Sequence, residues 1–268
     1  MASGAWTSCR HLVAAQVRGQ AQYRASFAAD VAGSVLFGVL DVVEVLVLFR
    51  VTPALGGFAF GEVFLMSALA TCAFAIADLV VGNVERLNVY VRTGLLDAVL
   101  VRPMGVLAQL AAMDVAGRRV GRVAFGVVIV AVAAVVAGVP PTPARLALLV
   151  ITPLAGAAIF GALFVATAAV AFWWIEAGEI ANGVTYGGLT FTQAPITVYG
   201  AMFRRLFAYG VGFAFVAYYP ALVLLGRPDP LGAPALLGYA APVVALAAAL
   251  FAAGVWRAGV RHYRSTGS

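Results

Sequence analysis

The sequence contains no lysine, and all 17 of its basic residues are arginine. A phosphate-binding P-loop needs a lysine to reach the β- and γ-phosphates. The chain therefore builds no such loop, and if ATP drives it, another polypeptide hydrolyses the nucleotide. Histidine and cysteine are equally scarce. His11 and His262 stand at opposite ends of the sequence, which excludes a metal site built on them. Cys9 precedes the first apolar run and Cys72 lies inside the second, an arrangement unsuited to a disulfide. No histidine, cysteine or serine constellation with catalytic spacing is present, so the chain reads as a non-enzyme that binds no cofactor or metal. Charge is also sparse, at 10% of residues against 63% hydrophobic. With a mean hydropathy of +1.00, that balance excludes a soluble globular core and identifies a polytopic all-α membrane protein.

Six apolar segments are long enough to cross a hydrocarbon core of roughly 30 Å. They are residues 27–49, 63–82, 122–139, 146–174, 206–225 and 236–256. With the N-terminus inside, fourteen arginines fall on the cytoplasmic side, leaving Arg50, Arg145 and Arg227 outside. The positive-inside rule then places both termini in the cytoplasm. Spread over the edges of apolar runs, these arginines form no single basic face, which argues against nucleic acid as a partner despite a pI of about 9.7.

The first run is a full-length span, not the short core of a cleavable signal. Ahead of it, residues 1–26 include the stretch CRHLVAAQVRG, which suits a helix lying on the inner membrane surface; a cytoplasmic tail is the other reading. Two connections are long and fall on the cytoplasmic side, residues 83–121 and 175–205, whereas the outer loops VPPTPAR and RPDPLGAP are short and proline-rich. The whole chain, 1–268, thus reads as one permease domain whose inner face receives a partner.

The stretch RTGLLDAVLVRP interrupts the apolar pattern between the second and third runs. Thr93 is placed to cap a helix that Pro103 ends about two turns later. Its apolar arc is Leu95, Leu96, Val99 and Leu100, with Asp97 pointing away and Arg92 and Arg102 at its ends. Such a helix can seat in a groove of a soluble partner, or lie at the interface with its arginines on lipid phosphates.

Charges inside apolar runs mark further candidates. Asp41 and Glu44 lie three residues apart in the first run, where each charge costs roughly 2.5–3.5 kcal/mol at the bilayer centre. They could line a pathway or carry protons; alternatively they form ion pairs between helices or subunits, for example with Arg50 or Arg145. Asp78 sits near the cytoplasmic end of the second run, within reach of water. Glu176 and Glu179 follow the interfacial pair Trp173 and Trp174 and face either a partner or solvent. Residues 182–195, rich in glycine and threonine, read as an irregular connection. Tyr218, Tyr219 and Pro220 interrupt the fifth run and predict a kink there; as pathway or intersubunit candidates they serve a moving gate or only shape packing. Small-residue stretches at 121–138 and 245–254 allow close helix approach and are candidate subunit contacts.

Several stretches together resemble the permeases of the ABC-2 family. They are QYRASF in the N-terminal segment, GLLDAVLVRPMGVLAQL at 94–110, APITVYGAMFRRL at 194–206, FAFVAYYPALVLLGRPDP at 213–230 and the ending WRAGVRHYRSTGS. The resemblance implies an ABC-2, type V exporter-like architecture of about six helices with a cytoplasmic coupling helix at 93–102. It also implies export across a bacterial inner membrane by two permease subunits, identical or related, each above an ATPase subunit that holds ATP and Mg. The chain departs from the family pattern at Gln193-Ala194-Pro195, where an Arg-Tyr-Pro is common, and its last outer loop is too short for the external helical elements of other branches. An ion-coupled secondary transporter using Asp41 and Glu44 is the competing class.

Overall fold

In a computed structural model the described residues are 24–102, 104–113, 117–174, 176 and 178–263. The interfacial helix expected within residues 1–26 lies almost wholly outside them, as does Pro103.

Helix α1 (Arg24–Val51) ends where Pro53 follows Thr52, whose hydroxyl donates to the Ala54 carbonyl at 2.9 Å. A turn through Gly56 and Gly57, both at positive φ, leads into α2 (Phe60–Val81). Glu62 reaches back to accept the Ala59 amide at 2.7 Å, half of a capping box at the start of α2. Apolar on every side, α2 is buried along most of its length and forms the axis of the bundle. Beyond it come α3 (Leu87–Arg92), α4 (Leu95–Leu100) and α5 (Val106–Ala112). Helix α6 (Gly117–Val136) then returns alongside α2, with Gly126 against the Cys72 backbone; a Cβ there would stand 3.0 Å from Cys72 Cα. Helix α7 (Pro143–Ala169) starts with Pro143 in its first turn and Thr142 accepting the Arg145 amide. The last helix, α11 (Ala241–His262), packs along α7 in the most extensive contact of the molecule.

Among the described residues, four helical stretches are long and apolar enough to cross a membrane: Phe60–Arg92, Arg119–Val136, Pro143–Phe172 and Ala241–His262. A bent pair makes a fifth only if counted as one span. That pair corrects the fifth run expected at 206–225. Segment α9 (Ala201–Phe203, continuing as a π-helix over Arg204–Gly210) is bent by 68° from the Phe213–Leu225 stretch that holds α10 (Tyr218–Leu225). The break is Gly212 at φ +89°, a left-handed conformation that glycine alone adopts without strain. Pro220 falls in the first turn of α10 and does not kink a continuous helix.

Both ends of this pair lie at one end of the bundle. Thr197 donates to the Gly56 carbonyl at 2.8 Å, and Arg227 donates to the Gly57 carbonyl at 2.7 Å. Between them Phe213 reaches inward to Phe160 and Phe191, both at 5.9 Å between ring centroids. The pair therefore enters the bundle and leaves it on the same side.

Residues 178–193 form α8 (Gly178–Gln193), a continuous helix and not an irregular connection. It runs beside α2 from Asn88, against Gly178, past Phe74, stacked obliquely on Tyr186, to Thr71, which accepts from Gln193 at 3.1 Å. Gly188 leaves room there, since a Cβ would collide with the Phe213 ring. Residues 178–205 thus begin at one end of the bundle and finish at the other. They are not a connection confined to one face, and Arg204, which donates to the Tyr199 carbonyl at 2.8 Å, follows the Thr197 contact with the Gly56 loop.

Small residues of the 121–138 and 245–254 stretches serve packing within the chain: Gly126 meets α2, and Ala245 and Ala252 are buried.

Candidate docking site at the arginine-rich end

Opposite the Gly56 loop, the bundle end carries the exposed Arg86, Arg92, Arg102, Arg257 and Arg261, with Glu176 and Glu179 exposed among them. Its centre is the segment from Gly82 to Met113. Helix α4 begins at Gly94, φ +71°, not at Thr93. Thr93 closes the preceding helix α3, its hydroxyl donating to the Val89 carbonyl at 2.8 Å. A hydroxyl four residues after a helical carbonyl has this local partner as readily as it has an N-cap role. Gly94→Ala is expected to cost about 1–2 kcal/mol through the left-handed backbone, and Thr93→Ala under about 0.5 kcal/mol, as an ordinary surface change; thermal unfolding in detergent checks both.

One face of α4 is closed and the other open. Leu96 and Val99 are 0% and 2% exposed, whereas Leu95, Leu100 and Val101 are 53%, 38% and 84% exposed. The buried pair belongs to a cluster with Val84, Leu87, Val91 and Leu110 that reaches Val165, Ala169 and Phe172 and, on α11, Ala252 and Trp256. So the expected apolar arc is split: half of it anchors the helix and half faces outward with Arg92 and Arg102.

Two buried amides fix this arrangement, and neither stood out in the sequence. Gln109 donates to the carbonyls of Val99 at 3.1 Å and Met104 at 2.8 Å, tying the end of α4 and its exit to α5. Asn83 donates to the Leu110 carbonyl at 2.6 Å, tying α5 to the end of α2. The available signal was a single amide at 109 between Val106 and Leu110 on the apolar stripe. Gln109→Leu removes both bonds, while the Val99 carbonyl keeps the Arg102 amide, so a local loss of about 1–3 kcal/mol is expected. Faster amide hydrogen exchange across residues 95–105 is the measurement.

Asp97 faces inward as well, because Tyr263 donates its phenol to Asp97 Oδ1 at 3.1 Å. Burial, and then the carboxylate beside it, push the Tyr263 phenol above its ordinary value and keep it a donor. Asp97, expected on the side away from the apolar arc, is half-buried there and engaged by Tyr263.

Asp78 does not reach water. It is 4% exposed and is paired with Arg119 Nε at 3.0 Å and Arg122 Nη1 at 3.2 Å, joining α2 to α6.

The remaining candidates lie elsewhere. Asp41 is half-buried in a small cleft with Ser67, Thr71 and Phe125, and Glu44 is exposed on α1. Among the described residues no ion pair joins either to Arg50 or Arg145. Tyr218 and Tyr219 are buried at the opposite end, Tyr218 donating to Asp229 Oδ1 at 2.6 Å and Tyr219 to the Tyr209 hydroxyl at 3.4 Å. Among the described residues no group of three or more histidine, cysteine, aspartate or glutamate side chains could hold a metal ion.

A family model described as ABC-2 family transporter protein matches residues 35–267. The chain belongs to this family. It is an ABC-2 family membrane protein, and as such the permease component of an ABC transporter, with the match covering every element from the middle of α1 onward. No curated protein and no solved structure matches the chain. In this ABC-2 protein the block at 94–110 is the segment that the two amides and Tyr263 hold against α7 and α11.

Proposed function

We propose that this chain is the membrane subunit of an ATP-driven exporter and that α4 docks a separate ATPase subunit, two of which sit beneath two permease subunits. The observation that carries the reading is the split face of α4. Leu95, Leu100 and Val101 with Arg92 and Arg102 offer a mixed apolar and cationic edge, while Leu96 and Val99 anchor it to α7 and α11. A partner's push on the outer edge is thereby delivered to membrane helices.

The arginine-rich end is the cytoplasmic one under the positive-inside rule, which puts the Gly56 loop and the re-entrant pair outside. With α1 and α8 added to the four apolar stretches, six helices cross a bacterial plasma membrane. A second copy, or a related permease, is supported by α1. Glu44 is exposed there among Leu40, Val43, Val47 and Leu48, and a carboxylate facing lipid costs roughly 2.5–3.5 kcal/mol unless another subunit covers it. ATP and Mg belong to the ATPase, consistent with a chain that has no lysine. The competing ion-coupled reading rests on Asp41, half-buried in a small cleft, and Glu44, exposed one turn further along α1.

The test is affinity purification of the tagged chain from its own cells. A P-loop ATPase is expected to co-purify with vanadate-sensitive hydrolysis, and Leu100→Glu with Arg102→Glu is expected to lower its recovery at least tenfold. An active transporter isolated without any ATPase sinks the reading.

A further inference from the structure

We infer that Tyr263, at the end of the last helix, is a positioning residue that ties α4 directly to α11 through Asp97. This rests on the reading of α4 as the docking helix. Two observations beyond the 3.1 Å hydrogen bond support it. Phe172, at the end of the α7 stretch, meets Trp256 at 5.4 Å and Tyr263 at 6.1 Å between ring centroids, edge to face in both cases, and so fixes where the phenol stands. Gly259 makes that approach possible, because a Cβ there would collide with the Phe172 ring. The apolar cluster beneath α4 is non-directional, and the Gln109 and Asn83 amides tie α4 and α5 to each other and to the end of α2, not to α11. The hydrogen bond gives the contact a direction, so a displacement of α4 moves the end of α11 with it. Asp97 then works inward on the last helix, and the partner is met by the residues around it.

The experiment uses the full chain in lipid nanodiscs, with spin labels at Val135→Cys and Leu236→Cys in a background otherwise free of cysteine, both sites being exposed at the far end. In the assembled complex, trapping with ATP and vanadate is expected to change the distance between the labels. Tyr263→Phe, which removes only the hydroxyl, is expected to leave ATPase recovery unchanged and to halve that change or more. Asp97→Asn keeps an acceptor at Oδ1 and is expected to retain it. A full distance change in Tyr263→Phe overturns the inference, because a residue that only stabilised the fold would alter the amount of complex and not the change per complex. Without the ATPase, hydrogen exchange over residues 95–101 decides it: at least threefold faster exchange in Tyr263→Phe supports the tie, and an unchanged rate overturns it. Failure of the unsubstituted chain to recover any ATPase counts against the docking reading instead.

Discussion

Asp78→Ala is expected to be the most destabilising single substitution in the membrane region. The carboxylate is enclosed and balances two guanidinium groups from α6 at 3.0 and 3.2 Å. Removing one partner of a buried ion pair leaves an uncompensated charge and costs about 3–5 kcal/mol. Here two cations lose their counter-charge and also repel each other. Glu85, within electrostatic reach of Arg119, offsets part of this, so the lower half of the range applies if it can swing closer. For a domain of this size each kcal/mol moves the unfolding midpoint by roughly 2–4 °C, so a drop on the order of 10 °C is expected. Thermal unfolding of the purified chain in detergent measures it, and a shift below about 2 °C would show that water already reaches the site. The converse design separates charge from shape. Asp78→Leu combined with Arg119→Met is expected to recover much of the loss, because well-packed apolar replacements for buried ions are often neutral or better. Gly82 limits the repacking, since its missing side chain is where Asp78 Oδ1 and Arg119 approach the backbone.

The same ion set shows what a sequence of this kind conceals. Helices α2, α6, α7 and α11 were legible to within a few residues because each is a long apolar run bounded by charge, glycine or proline. Asp78 stands at a helix end in the sequence, and nothing local announces that Arg119 and Arg122, more than forty positions on, fold over it. The fifth crossing was misplaced for a related reason. Residues 206–225 are apolar enough to mimic a span, and only the positive φ of Gly212 makes them turn back. Residues 178–193 contain four glycines and three threonines that lower their apolarity, yet Gly188 is the position that admits Phe213. At the candidate docking segment the helix and its C-terminal limit were legible from GLLDAVLV and the arginine and proline after it. Its start was not, because a threonine before a glycine serves equally as the end of one helix and the cap of the next. Tyr263 and Gln109 escaped notice because each acts on a partner that is distant in sequence or on backbone alone.

Arg227→Ala is expected to release the bent pair from the Gly56 end of the bundle. This guanidinium makes three different contacts with the Gly56 loop and the start of α2. It is paired with Glu62, donates to the Gly57 carbonyl at 2.7 Å, and lies over the Phe58 ring at 4.2 Å. Phe58 in turn packs edge to face on Tyr218, whose hydroxyl is held by Asp229 two residues beyond the arginine. The Arg-Pro-Asp-Pro turn therefore grips both the loop before α2 and the helix that leaves the bundle. A charge-assisted hydrogen bond contributes about 1.5–3 kcal/mol, and a cation over an aromatic face about 0.5–2 kcal/mol. Solvent reaches part of the Glu62 pair, so a total of about 2–4 kcal/mol is the scale for local opening. Each 1.4 kcal/mol is about tenfold in the open population. Maleimide labelling of Ala217→Cys, at a fully buried position of the pair, is therefore expected to accelerate at least tenfold in a chain otherwise free of cysteine. Arg227→Lys decides between charge and geometry. An ammonium keeps the attraction to Glu62 but cannot also reach the Gly57 carbonyl and lie flat on Phe58. Labelling close to the alanine variant means that the planar fork holds the pair in place, whereas labelling close to the parent means that net charge alone does so and the contacts with Gly57 and Phe58 are incidental.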